Sequence, residues 1–197
     1  MHRFLTLRWL TRPRAKRGFW PAWAFALLLM VMPAPPAYAE APEISSFEVV
    51  RNDDGVQLDF ALRFELPRSV EDAMQRGVPL YFVAEAEVFR DRWYWRDRRV
   101  NKVTRTWRLA YQPLTRTYRV SFGGLNQSFD TLIDAVAAVR RVSSWKLADA
   151  SQIEEGARHY VEFSYKLDTS LLPRPMQIGV GGLTDWTLQV EKVQRFN

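Results

Sequence analysis

Over residues 90–108 the chain interleaves cations with aromatic rings: Arg90, Arg92, Arg96, Arg98, Arg99, Lys102, Arg105 and Arg108 stand among Trp93, Tyr94, Trp95 and Trp107, with Asp91 and Asp97 as the opposing acids. A guanidinium fork grips phosphate or carboxylate through two parallel hydrogen bonds, and an indole beside it can stack or sit at a lipid interface. Such a segment suits anionic lipid, an acidic glycan or the acidic face of a partner protein. The same residues also suit the solvent side of a sheet, where Glu85 and Glu87 would neutralise part of the patch across strands. The candidate contact surface is therefore Arg90, Arg92, Trp93, Trp95, Arg96, Arg98 and Arg99. Arg174 joins it from residues 171–176, because Pro173 and Pro175 flank it and fix the shape of that turn. The bland account of those prolines is that they end one strand and start another.

Other constellations point less far. His159 shares the parity of Val161 and Phe163, which predicts a hydrogen-bonded residue at a strand end. A metal site needs several ligands converging, and neither HExxH nor HxH spacing occurs. No GxSxG elbow is present for serine hydrolysis, so an envelope hydrolase would require His159 to meet an acid and a hydroxyl in a cleft. The acid pairs Asp53/Asp54, Glu71/Asp72, Glu85/Glu87 and Glu154/Glu155 read as a turn, a helix N-terminus, outward strand positions and a loop. Gly179, Val180, Gly181 and Gly182 resemble a phosphate loop only superficially, lacking the Lys-Ser/Thr and the following helix. No catalytic, metal or cofactor-binding residues are assigned, no cofactor is expected, and a non-enzymatic protein is.

These side chains need a scaffold, and alternation supplies one. Val56, Leu58, Phe60, Leu62, Phe64 and Leu66 alternate with mostly polar residues, which predicts a long half-buried strand. Phe47 and Val49 alternate before it, and Asn52, Asp53, Asp54 and Gly55 provide a tight hairpin. Pro67 stops the ladder; Ser69 with Asp72 resembles a capping box opening a short helical turn that Gly77 closes. A strand from Leu80 shifts phase near residues 90–92, as at a bulge. Strands over residues 103–111 and 118–122 complete an antiparallel meander. Ser128 is expected to open the one clear helix, with Phe129, Leu132, Ile133, Val136 and Val139 on its apolar face. Residues 143–156 read as loop, residues 159–167 as a strand, and residues 185–193 as the last strand. The fold class expected is mainly β: an antiparallel sandwich or curved sheet of about seven strands with one packed α-helix.

Residues 1–39 have the three parts of a secretory signal. Arg3, Arg8, Arg12, Arg14, Lys16 and Arg17 form a cationic start without acids, and residues 19–32 are apolar for only 14 residues, against roughly 20 for a membrane span. Ala37, Tyr38 and Ala39 place the cleavage after Ala39. The expected product is a single β-rich domain over residues 40–197, periplasmic, with no stable transmembrane anchor. Six of the 28 Lys and Arg lie before residue 40 and none of the 22 Asp and Glu does, so the mature domain carries no net charge. The high pI therefore gives no ground for nucleic-acid binding. The absence of cysteine excludes a lipidated N-terminal cysteine, a thiol nucleophile and thiolate metal sites. Stability must then come from packing, which a domain of this size can supply.

RDRWYW at residues 90–95, SFDTLIDAV at residues 128–136 and KLDTSLLPRPMQIG at residues 166–179, followed by Asp185 and Trp186, resemble a family of exported proteobacterial proteins known as domain of unknown function 4390. The resemblance implies an envelope protein, often encoded near a nitrogen-regulation-type sensor kinase, and brings no catalytic residues. The expectation is a binding or interaction module for an envelope protein or an anionic envelope component, with a possible accessory role in envelope signalling. The alternative is a carrier of lipid or a small ligand, because the surplus of large aromatics, eight Trp and twelve Phe over the full chain, could line a cavity.

Overall fold

The computed structural model describes residues 41–94, 96–172, 174–175, 177 and 186–196. Among them nine strands and two short helices run in the order β1 (Glu43–Asn52), β2 (Gly55–Arg63), α1 (Arg68–Gln75), β3 (Leu80–Arg90), β4 (Arg98–Gln112), β5 (Thr117–Phe122), β6 (Leu125–Phe129), α2 (Leu132–Val139), β7 (Arg141–Asp149), β8 (His159–Leu167) and β9 (Gln189–Phe196). Two sheets result, a small one in the order β1-β2-β7 and a large one in the order β6-β5-β4-β3-β8-β9, with every pairing antiparallel.

Alternation sends one row of each strand inward. Val56, Leu58, Phe60 and Leu62 of β2 meet Leu80, Phe82, Ala84, Ala86 and Val88 of β3 and Val161, Phe163, Tyr165 and Leu167 of β8 in a single buried cluster. Large and small residues are set side by side: Ala84 pairs with Tyr165 and Ala86 with Phe163 across β3 and β8. That leaves room for Phe163 to meet Phe60 at 4.8 Å and Phe47 at 5.2 Å between ring centroids. Ring pairs at such separations add stabilisation beyond their buried area. Asn101 of β4 ties the sheets through a 2.6 Å bond from its amide to the Leu147 carbonyl. Lys192 of β9 lies over the Phe47 ring at 5.1 Å, bridging the other side.

Several expected boundaries move, each for a local reason. Residues 143–156 were expected as loop, but β7 occupies their first half. Its alternation is hidden by register shifts against β2 at Val56/Gln57 and Leu58/Phe60, and Ser144 takes a left-handed φ of 52°. β6 reads as polar because it is an exposed edge strand. Ser128 and Phe129 end that strand, and α2 begins at Leu132 instead, capped by Thr131, whose Oγ1 accepts from the Asp134 amide at 3.2 Å. Ile133 faces solvent; Ala135, Val136 and Val139 make the buried face. α1 is a full helix rather than a turn. Its cap is Pro67, without a side-chain cap, and the Pro67 carbonyl accepts from the amides of Val70 and Glu71. The last strand starts later than residue 185, at Gln189, although Trp186 and Leu188 are buried ahead of it.

Candidate functional site

The β3–β4 hairpin carries the arginine-rich segment beyond the end of the sandwich. Arg90 closes β3 and Arg98 opens β4, and the two are directly opposite in the register. Residues 91–97 form the tip between them. One carboxylate holds the tip: Asp97 Oδ1 accepts from the Arg92 amide at 3.0 Å, while Oδ2 accepts from the Tyr160 hydroxyl at 2.8 Å. These bonds, Tyr160 first, hold the Asp97 carboxyl below its usual range. The tip is also tied to the start of β8 by the Asp91 amide, which donates to the Arg158 carbonyl at 2.9 Å, and by the Arg158–Asp91 ion pair at 3.5 Å.

The cations divide into two groups. Arg99 pairs with Glu87 at 3.2 Å, and Lys102 reaches Glu85 at 2.7 Å and Glu87 at 3.0 Å. Lys102, ahead of Arg99, holds the Glu87 carboxyl below its ordinary value. Arg90 pairs with Glu154 from the β7–β8 connection. Cross-strand neutralisation therefore accounts for the lower part of the patch. Among the described residues Arg92, Arg96 and Arg98 have no carboxylate partner for their side chains, so the positive charge left over is concentrated at the tip. Arg105 is not part of it. Its side chain turns inward, with the guanidinium 5.1 Å from the Phe122 ring and 5.3 Å from the Trp145 ring, and burial lowers its pKa.

At the tip Trp93 and Tyr94 are 79% and 78% exposed, against each other at 3.8 Å between centroids. Of the sequence candidates, Arg90, Arg92, Trp93, Arg96, Arg98 and Arg99 come together on this hairpin, and Trp95 lies outside the described residues. Arg174 is exposed and makes no described contact with the hairpin. Gly179 to Gly182 lie outside the described residues.

His159 is buried, at 2% exposure, beside Arg90 in the register of β3 and β8. Its Nδ1 bonds the Ala157 carbonyl at 3.0 Å, its ring stacks on Phe196 at 5.8 Å, and its Nε2 has no partner among the described residues. No acid-histidine-hydroxyl relay is assembled around it among the described residues. The residues that sequence reasoning missed are Ser151, Gln152 and Glu154, which border an open cleft of about 450 Å³ with Arg90, Arg98 and Val100. A signal for them existed. Asp149 and Gln152 form a reciprocal capping box around the short 3₁₀ turn Ala150–Gln152, and that spacing marks a fixed turn rather than a loose loop.

The described structure is thus an antiparallel two-sheet β protein presenting a basic, aromatic hairpin at one end. The family described as Domain of unknown function (DUF4390) matches residues 39–197, and the chain belongs to it. No curated protein and no solved structure matches the chain.

Proposed function

We propose that this protein is an exported, non-enzymatic binding module that engages an anionic component of the cell envelope through the β3–β4 hairpin tip. The observation that carries the reading is the nearness in sequence of two open aromatic rings, Trp93 and Tyr94, to arginines whose side chains pair with no carboxylate among the described residues. Guanidinium and aromatic edges together recognise anions that carry an apolar body. The periplasmic location rests on the features of residues 1–39, and the family match starting at residue 39 supports placing the working domain after them. No helix among the described residues is long and apolar enough to cross a membrane. A carrier role has less support than a surface role, because Phe60, Phe64, Phe82, Phe163, Tyr165 and Trp107 are occupied with one another.

The test is association of the purified protein with washed envelope, measured by co-sedimentation across a salt series. Arg92→Glu with Arg96→Glu should abolish a salt-sensitive association and leave the circular dichroism unchanged. Full retention by that variant would remove the tip from the reading.

A further inference from the structure

Arg90 and Arg98 present an electrostatic problem at the base of the tip. Like charges directly opposite each other on paired strands destabilise the pair. Glu154 answers one of the two by bonding Arg90. Arg98 is exposed and unpaired among the described residues, and both guanidiniums border the cleft that Ser151, Gln152, Val100 and Glu154 complete. Two cations and one anion leave this cleft with one positive charge to be met.

The other walls supply donors. Gln152 Oε1 accepts from the Asp149 amide at 2.9 Å, which commits the oxygen of that side chain and leaves its Nε2 without a partner among the described residues. Ser151 Oγ has none there either. The 3₁₀ turn holding both is fixed by the Asp149–Gln152 capping box, which also orients the Gln152 amide before anything binds. A monoanionic oxyanion with several acceptor oxygens fits this set: it matches the single charge, and its oxygens can take a guanidinium fork, a hydroxyl and an amide.

Resting on the tip as contact surface, we infer that the cleft between Arg98 and the Ser151–Gln152 turn is a subsite for the phosphodiester of an anionic lipid headgroup. The lipid source is favoured over a soluble one by the tip that the chain forms between the two arginines. Trp93 and Tyr94, in the tip that joins Arg90 to Arg98, are the amphipathic rings that settle at a bilayer's headgroup level. Juxtaposed arginines draw such a domain toward a negatively charged leaflet. The charge count also selects among headgroups, because a diester carries one charge where a monoester approaches two.

The test uses the protein recovered after export, with vesicles of phosphatidylcholine alone, vesicles in which phosphatidylglycerol replaces part of it, soluble glycerophosphoglycerol, inorganic phosphate and polyglutamate. Binding to the phosphatidylglycerol vesicles, read by co-sedimentation and by a blue shift of tryptophan emission, should fall about tenfold in Arg98→Ala, the loss expected for one charged hydrogen-bonding partner. Glu154→Gln should move it the other way, because the cleft then carries a second unmet positive charge. Glycerophosphoglycerol should compete, and phosphatidylcholine vesicles should not bind. Vesicle binding that ignores both Arg98→Ala and Glu154→Gln would overturn the subsite while leaving the tip reading intact. Binding of the soluble diester or of phosphate without vesicle binding would overturn the lipid source. Capture by polyglutamate with no affinity for vesicles would replace the lipid with an acidic protein partner and overturn the inference.

Discussion

The hydroxyl of Tyr160 on β8 donates to Asp97 of the β3–β4 tip at 2.8 Å, a bond spanning 63 positions of sequence. The Tyr160 ring also stacks on Phe89 at 5.2 Å and 15°, so ring and hydroxyl hold different parts of the same hairpin. Burial, followed by the Asp97 carboxylate, pushes the phenol's pKa well up, which keeps it a donor at any physiological pH. The exposed tip is therefore moored to an inner strand of the large sheet.

Tyr160→Phe keeps the stack and deletes the bond. Amides of residues 91–97 should then exchange faster with solvent while the urea midpoint hardly moves, since bonds to an exposed carboxylate contribute little to global stability. The Asp97 carboxyl should titrate nearer its ordinary 3.8. Its depressed value in the folded protein means that the mooring is complete above 3.8 and is lost as pH falls through the folded value. Unchanged exchange at residues 91–97 would show that Tyr160 does not restrain the tip.

A second long-range phenol bond is structural. Tyr165, buried on β8, donates to the Val139 carbonyl at 3.0 Å. That carbonyl ends α2, where no further turn supplies an intrahelical donor. Tyr165→Phe should cost about 1–3 kcal/mol, the penalty for a buried acceptor left without a partner. The measurement is a urea titration, with a lower midpoint and an unchanged slope. A midpoint equal to that of the parent would mean water reaches the carbonyl.

How much of this was legible in the sequence depends on where each residue type gets its partner. β2, β3 and β8 were readable because each has one buried and one solvated face, and a period of two follows directly. That Glu85 and Glu87 would neutralise part of the patch across strands was readable too, while the particular partners Arg99 and Lys102 follow from the β3–β4 register. β7 was not, because two bulges against β2 break the period, and the bulge at Ser144 is stabilised by Asp59, whose Oδ1 accepts the Ser144 amide. Asp59 is 85 positions away, and nothing in the local pattern announces it. The cleft failed for a similar reason: Arg98 and Ser151 are brought together by sheet topology, with β7 in one sheet and β4 in the other.

The turn at Asn52 to Gly55 was legible from composition, and the structure shows why it tolerates no side chain. Gly55 has φ of +126°, and a Cβ there would lie 2.1 Å from the Ala148 carbonyl oxygen and 2.9 Å from the Ala150 nitrogen. Backbone must move to admit it, in the hairpin and in β7 together. Gly55→Ala should cost at least about 3 kcal/mol, seen as a large drop in thermal midpoint. Gly77→Ala is the comparison, with φ of +96° but nothing within 4 Å of the added atom; it should cost only the left-handed strain, about 1–2 kcal/mol. Equal losses at the two sites would rule out the Ala148 contact as the cause.

His159 gives the fold a dependence on acid. Its imidazole is buried with Nδ1 on the Ala157 carbonyl and Nε2 unpartnered. Burial lowers its pKa below the ordinary 6.5, assisted by the nearby Arg51 and Arg90 cations, while the Ala157 carbonyl and Glu154 pull the other way. Between the folded and unfolded values the unfolded chain holds the proton that the folded chain refuses, so acid favours unfolding there. Stability from the neutral ring is therefore whole above 6.5 and declines as pH drops from 6.5 through the folded value. The expected outcome is a urea midpoint that falls over that window in the parent and stays flatter in His159→Gln, which packs a neutral amide in place of the ring. The Glu87 and Asp97 carboxyls are held below their ordinary values of 4.5 and 3.8, so their own losses begin at lower pH than the histidine step. Parallel midpoint curves for the two proteins between 6.5 and 4.5, above the range where those carboxylates titrate, would show that His159 is not the source of the acid sensitivity.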